Sequence, residues 1–170
     1  MDYEKLLIDA HSKSTKDQIV AHIGDDPQRL ADFMNTYMGD NPVVVQRAAW
    51  CIRDLGKGIP QLMEPYWTDM IAMMKQDHHD AVQRNTLALL AEIKIEEKYW
   101  DDLYEYCFNL LQNPQKPAAI RVHAMTVLFQ IANQIPELKP ELAMVIEEHL
   151  PMGSSGFKNR GGKLLKKLRA

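Results

Sequence analysis

The feature that most constrains this chain is an internal repeat of about 37 residues. Val45-Gln46-Arg47 recurs 37 residues later as Val82-Gln83-Arg84, and a weaker third copy follows at Ile120-Arg121-Val122. A fourth copy begins at Phe157. A repeat of this length predicts small supersecondary units that cannot bury their apolar faces alone and therefore stack on one another.

Within each copy, apolar residues recur at the spacing of one helix face. Positions 45, 49, 52 and 56 mark a single stripe of an α-helix, and Gly56 is its weak member. A second amphipathic segment precedes each of these helices. Its apolar columns are Leu30, Trp67, Tyr104 and Leu142; Phe33, Met70, Cys107 and Val145; and Met34, Ile71, Phe108 and Ile146. Each copy is therefore predicted to be a pair of helices.

Turn residues divide the chain into these pairs. Asn41-Pro42 precedes one second helix, and Pro27 falls in the first turn of a leading helix, where proline is tolerated. The chain is expected to be all-α, an α–α superhelix of about four two-helix repeats in one domain over residues 1–170. The predicted units are about 27–63, 64–100, 101–137 and 138–170, after an N-terminal cap over 1–26. The cap is expected to hold helices near 2–10 and 15–23, with Ser14 or Thr15 as N-cap.

These units resemble the HEAT/armadillo class of helical repeats. The resemblance rests on the apolar-x-Arg-x-small start of the second helix, carried by residues 45–49 and 82–86, and on Asp80 just before the second of these. The third copy has Val122, and the fourth Asn159, where the pattern has arginine. The resemblance implies that the first (A) helix of each pair lines the convex face of a solenoid, and the second (B) helix the concave face.

The resemblance is specific for a fold and nearly silent on function, because this class hosts many unrelated functions. Since a linear stack of repeats presents an extended surface, we interpret the chain as a non-enzymatic scaffold that binds a protein partner on the concave B-helix face. Six side chains are expected to contact the partner: Arg47, Arg84, Asn85, His123, Arg160 and Lys163. Arginines at these B-helix positions have a second interpretation, because in this class they also bond to neighbouring repeats as part of the scaffold.

Two other functions stay open at this point. The alternative is nucleic-acid binding, as in alkylpurine DNA glycosylases that are built from HEAT-like repeats. Residues 158–170 favour it, since they carry six lysines and arginines and no acid, whereas the acidic remainder opposes it. The other is a structural subunit that oligomerises through apolar surfaces.

No motif points to catalysis, a cofactor or a metal ion. Cys51 and Cys107 lie inside predicted helices without a CxxC pair, so they are expected to be reduced and buried. His78 and His79 are metal-ligand types, but adjacent turn residues seldom converge on one ion, so a solvated turn capped by Asp80 is expected. We therefore expect no enzyme, cofactor, metal ion or small-molecule substrate.

Composition predicts a cytoplasmic protein without a membrane span. Charged residues make up 25% of the chain, no apolar run approaches the roughly 18 residues of a transmembrane helix, and the acidic N-terminus does not read as a signal peptide. Among the large side chains, Met70 and Met74 are expected in the core and Met73 further outward. Trp50 is expected to be buried between repeats.

Overall fold

The computed structural model describes all 170 residues, in eleven α-helices and three 3₁₀ turns with no β-strand. The all-α fold class is thereby confirmed. The residues divide into two compact units, Met1–Leu89 and Leu90–Ala170. The single domain and the repeat limits inferred from the sequence stay predictions.

The first unit holds seven helices and the second holds four. Those of the first unit are α1 (Tyr3–Asp9), α2 (Lys13–Ile23), α3 (Pro27–Tyr37), α4 (Pro42–Gly58), α5 (Pro60–Met63), α6 (Trp67–Lys75) and α7 (Asp80–Leu90), whose last residue opens the second unit. Those of the second unit are α8 (Trp100–Gln112), α9 (Ala118–Gln134), α10 (Lys139–His149) and α11 (Ser155–Leu168). The 3₁₀ turns Glu64–Tyr66, Glu97–Tyr99 and Pro136–Leu138 run directly into α6, α8 and α10.

Over α1–α4 in the first unit and over α8–α11 in the second, the helices pack in two layers. In the first unit α1 lies beside α3 and α2 beside α4, and in the second α8 lies beside α10 and α9 beside α11. The long helices α4 and α9 join the layers, because α4 also packs on α1 and α3, and α9 on α8 and α10. We call α3, α6, α8 and α10 the A helices, and α4, α7, α9 and α11 the B helices. This layered pairing is that of an α-solenoid.

Short polar side chains start several helices at the predicted turns. Asp26 caps α3 and Asn41 caps α4, and in both cases a side-chain oxygen accepts hydrogen bonds from two backbone N–H groups and a proline follows. Ser154 caps α11 through a bond from the Phe157 N–H. These caps satisfy donors that the first turn of a helix leaves without a partner.

Two helix starts differ from the prediction. The N-cap of α2 is Ser12, whose Oγ accepts a hydrogen bond from the Thr15 N–H at 3.1 Å, so neither Ser14 nor Thr15 is the cap. At α7 the ring of His79 takes the capping role, since its Nδ1 accepts from the Ala81 N–H at 3.1 Å. Asp80 is instead the first residue of that helix.

The predicted apolar stripes form the core of both units. On α4 all four stripe positions are buried, Gly56 included. The equivalent buried residues on α9 are Ile120, Ala124, Val127 and Ile131. On α11 Phe157, Gly161 and Leu164 are buried. Full burial of each large aliphatic or aromatic side chain contributes about 1.5–3 kcal/mol, so the large members of these stripes stabilise both units.

Two large side chains lie elsewhere than expected. Met73 is only 7% exposed and belongs to the core with Met70 and Met74, rather than pointing outward. Trp50 is half-buried and is covered by the N-terminal segment, with the His11 ring edge-on at 5.5 Å and the Lys16 ammonium 5.6 Å from its ring. Both differences depend on how helices pack, which spacing along one helix does not specify.

Close packing explains Gly56 and Gly161. A Cβ at Gly56 would lie 2.3 Å from a methyl carbon of Leu89, so the leucine side chain fills the volume that a larger stripe residue would need. At Gly161 a Cβ would lie 3.1 Å from side-chain carbons of Ile146 and Leu150 on and beside α10. The predicted role of Gly161 in close helix packing is confirmed.

Replacing Gly56 with leucine is expected to lower the free energy of unfolding by about 1–3 kcal/mol, because added methylenes in a packed core displace their neighbours. Gly58→Leu is the matched control, because Gly58 is exposed on the same helix and a side chain there meets no atom within 4 Å. Urea unfolding followed by circular dichroism measures both changes. Adding Leu89→Ala should recover part of the Gly56→Leu loss; two losses that simply add would contradict the contact.

Candidate partner-binding surface

The six predicted contact residues fall on four helices in two units. Arg47 lies on α4, and Arg84 and Asn85 lie on α7, all in the first unit. His123 lies on α9, and Arg160 and Lys163 lie on α11, all in the second. The structure brings Arg160 and Lys163 together, and it gives Arg47 and Asn85 bonds within the protein.

Arg47 holds the C-terminal end of α1. Its half-buried guanidinium donates from Nη1 to the carbonyl oxygens of Leu7, at 2.7 Å, and Ile8, at 2.9 Å. The last carbonyls of a helix have no partner within it and carry its partial negative charge, so a cation is favoured there. This is the scaffold role that the sequence left open for Arg47, and Nε and Nη2 make no other contact.

The two predicted residues of α7 differ from each other. Asn85 is half-buried and donates to the Ala81 carbonyl one turn earlier, at 2.8 Å. Arg84 is exposed and makes no hydrogen bond or ion pair. Arg84 is therefore accessible to a partner in the first unit, whereas one of the two N–H donors of the Asn85 amide is already used within α7.

The second unit contains a buried arginine that the sequence pattern missed. Arg121 on α9 donates from Nε and Nη2 to the Leu111 carbonyl near the end of α8, at 2.9 and 2.8 Å, and its guanidinium lies 4.6 Å from the Phe157 ring centre. Burial lowers its pKa from the usual arginine value. Arg121 follows Arg84 by 37 residues, so a strict 37-residue period would have identified it.

Replacing Arg121 with alanine is expected to lower the free energy of unfolding by about 1.5–3 kcal/mol, because the buried Leu111 carbonyl loses a charge-assisted bond. Arg84→Ala should change it by no more than about 0.5 kcal/mol, as is usual for exposed positions. Thermal or urea unfolding of the two variants makes the comparison. Equal losses in both would show that Arg121 has no special role in the scaffold.

Two of the predicted contact residues line a cavity between α9 and α11. The volume of this cavity is about 540 Å³. Its lining residues are Val122, Ser155, Gly156, Asn159, Arg160 and Lys163. Arg160 and Lys163 are exposed and make no hydrogen bond or ion pair. His123, beside Val122 in sequence, is half-buried and has a contact of its own.

One face of α11 continues this surface. Arg160, Lys163 and Lys167 are spaced three and four residues apart, so they share a helix face. The Lys167 ammonium lies 5.9 Å from the centre of the Phe129 ring on α9, which places it against the half-buried Phe129. We call these three cations, with Val122 and Phe129, the α9–α11 surface.

The two cysteines have the environment that the sequence predicted. Cys51 and Cys107 are both free and buried. Burial raises the pKa of the Cys51 thiol to about 12, so the reactive thiolate is scarce at neutral pH. No group of three or more His, Cys, Asp or Glu side chains converges in the structure. No helix combines the length and the apolar character that crossing a bilayer requires.

The Cys51 thiol is expected to resist modification by DTNB at pH 8 in the folded protein, because a buried thiol with so high a pKa presents no thiolate to the reagent. In urea the same thiol should react at once. Absorbance of the released thionitrobenzoate measures both rates, with Cys51→Ala identifying the signal. Fast reaction of Cys51 under native conditions would contradict the burial seen here.

Comparison with known proteins identifies one family. A family model described as a HEAT repeat domain matches residues 3–168, nearly the whole chain. The match includes α1 and α2 as well as the four A–B pairs. Neither the curated proteins nor the solved structures provide a match.

Proposed function

The chain belongs to the HEAT repeat family, and on that premise we propose that it is a protein-binding module whose partner docks on the B-helix face. HEAT repeats generally mediate protein–protein interaction, and the family is typically non-enzymatic. The proposal adds the face and the residues. In the second unit it assigns the partner to the α9–α11 surface, and in the first to the exposed Arg84.

The α9–α11 surface is the observation that supports this proposal most directly. It joins an open cavity to two cations, Arg160 and Lys163, that make no hydrogen bond or ion pair within the protein. It also includes Lys167 against the ring of Phe129, which like Val122 is only half-buried. Interfaces typically combine such an apolar centre with charged groups that orient the partner. Arg47, Asn85 and His123 have contacts within the protein, so they contribute to a partner only through their remaining atoms.

The alternative of nucleic-acid binding has no support from the family match. It predicts recovery of DNA or RNA rather than of a protein, and this difference makes it an outcome of the same experiment. The oligomeric subunit likewise predicts recovery of a second copy of this chain. A crosslink that reports both position and partner therefore distinguishes the three functions.

A photo-crosslinker placed at Asn159 on α11 is expected to capture a protein partner from a nuclease-treated extract of the cells that make this protein. The matched control carries the crosslinker at Asp101, which is exposed on the A helix α8. Mass spectrometry identifies the adducts. We expect a distinct protein adduct at Asn159 and none at Asp101, and its loss in Arg160→Glu/Lys163→Glu because the docking charge is reversed.

The proposal fails if adducts form equally at both positions, or if the charge reversal leaves the Asn159 adduct unchanged. An adduct with a second copy of the chain would instead assign this surface to self-association. Nucleic acid recovered from untreated extract, with no protein adduct, would favour the alternative function.

A further inference from the structure

The charge of the α9–α11 surface is not balanced by its own helices. Neither α9 nor α11 contains an aspartate or a glutamate, so no acid on these two helices is available to pair with the cations. Arg160 and Lys163 are exposed and form no ion pair with any other part of the chain. The surface is thus a site of unneutralised positive charge, and charge complementarity predicts an anionic occupant.

The helix dipole does not account for all of these cations. Lys166 and Lys167 lie in the last turn of α11, where the partial negative charge of the helix end favours them. Arg160 and Lys163 lie earlier and three residues apart, where like charges repel. Within the protein, the repulsion between these two positive charges is unfavourable. An anion bound from outside would make their electrostatic energy favourable.

The apolar and the charged side chains form two parallel strips. Val122 lines one cavity with Arg160, and Phe129, seven residues later, meets Lys167, seven residues after Arg160. The two helices therefore run in the same direction, and each strip extends about 10 Å. That length matches about three residues of an extended segment, or two turns of a helix.

Protein fits this surface better than nucleic acid or a bilayer does. Phe129 is the one aromatic ring of the α9–α11 surface, and it is half-buried with the Lys167 ammonium 5.9 Å from its centre, so the surface has no series of rings on which successive bases could stack. The apolar residues of α11, including Phe157 and Leu164, are buried in the unit and cannot insert into a membrane interface. What the surface offers is a row of cations beside a shallow apolar strip.

We infer that the partner presents an acidic segment whose carboxylates meet Arg160, Lys163 and Lys167 and whose apolar side chain packs between Val122 and Phe129. This inference rests on the proposed function and specifies the chemistry of the partner. Arg160 forms bidentate bonds with a carboxylate, and the two lysines provide point charges along the same line. The apolar contact sets the register of the segment on the strip.

Binding of short synthetic peptides to the purified full chain tests the inference. The probe is a fluorescein-labelled, glutamate-rich peptide with leucines at helical spacing, and anisotropy measures its Kd. Two control peptides replace either all glutamates with glutamine or all leucines with serine. Single-stranded DNA and phosphatidylserine vesicles, at the same charge concentration, represent the other anionic partners.

The parent chain is expected to bind the acidic peptide, and Arg160→Glu/Lys163→Glu should weaken binding about ten-fold or more, since two exposed pairs are replaced by repulsions. Lys94→Glu/Lys158→Glu is the matched control with the same change in net charge. Lys94 is exposed and lies outside both helices, and Lys158 is exposed on another side of α11. The Kd of this control variant for the acidic peptide should therefore stay within about two-fold of that of the unmodified chain. Circular dichroism confirms that both variants are folded.

Several results would overturn the inference. One is a control peptide, with glutamine or with serine, that binds as tightly as the glutamate-rich peptide. Another is an equal loss of affinity in the two charge variants. The others are no peptide binding at all, or tighter binding of DNA or vesicles than of the acidic peptide. If a protein adduct still forms at Asn159 but the acidic peptides do not bind, the partner still docks on the B-helix face and only its acidic chemistry is rejected. Absence of that adduct would remove the proposed function itself.

Discussion

Short turns between stacked helices create one constraint on which both units depend. The last carbonyl groups of a helix have no partner within it, and at the ends of α1 and α8 they lie close to a neighbouring B helix. Arg47 meets this constraint at the end of α1, and Arg121 meets it at the end of α8. A long side chain with several donors can reach such a carbonyl from a neighbouring helix without interrupting the apolar stripe. Each unit thus uses an arginine of a B helix as part of its framework.

This constraint separates two classes of basic residue. Arg47 and Arg121 each donate hydrogen bonds to the backbone carbonyl groups of a neighbouring helix. Arg84, Arg160 and Lys163 are exposed and have no partner. Since exposed cations contribute little to stability, the second class is free to vary with the partner while the first maintains the scaffold. A repeat protein can thereby keep one architecture and change its specificity.

Much of the fold could be predicted from the sequence because its signals are local. The stripe at positions 45, 49 and 52, the N-cap Asn41 and the proline at the first helical position, Pro42, depend only on residues within one helix or turn. The burial of Met73 is not predicted, because it depends on neighbouring helices. The Ser12 cap is not predicted either, because Ser14, two residues later, offers the same capping chemistry. The pattern does not predict Arg121, because the third copy starts 38 residues after the second, at Ile120, and this spacing puts Val122 in the arginine position. Of the candidate surface, spacing alone places Arg160 and Lys163 on one helix face, but their position beside Val122, and that of Lys167 against Phe129, require the packed structure.

The distribution of charge in the second unit explains how one face of so small a unit can select a partner. Residues 90–170 contain ten acids and eleven lysines and arginines, a net charge of only +1. All ten acids lie outside α9 and α11, on the A helices α8 and α10 and on the connecting segments. Because α8 packs beside α10 and α9 beside α11, the unit has an acidic layer and a basic layer. An anionic segment is therefore attracted to the B helices and repelled by the A helices. A unit with almost no net charge can in this way bind such a segment on one face only. This binding weakens as salt screens the charges.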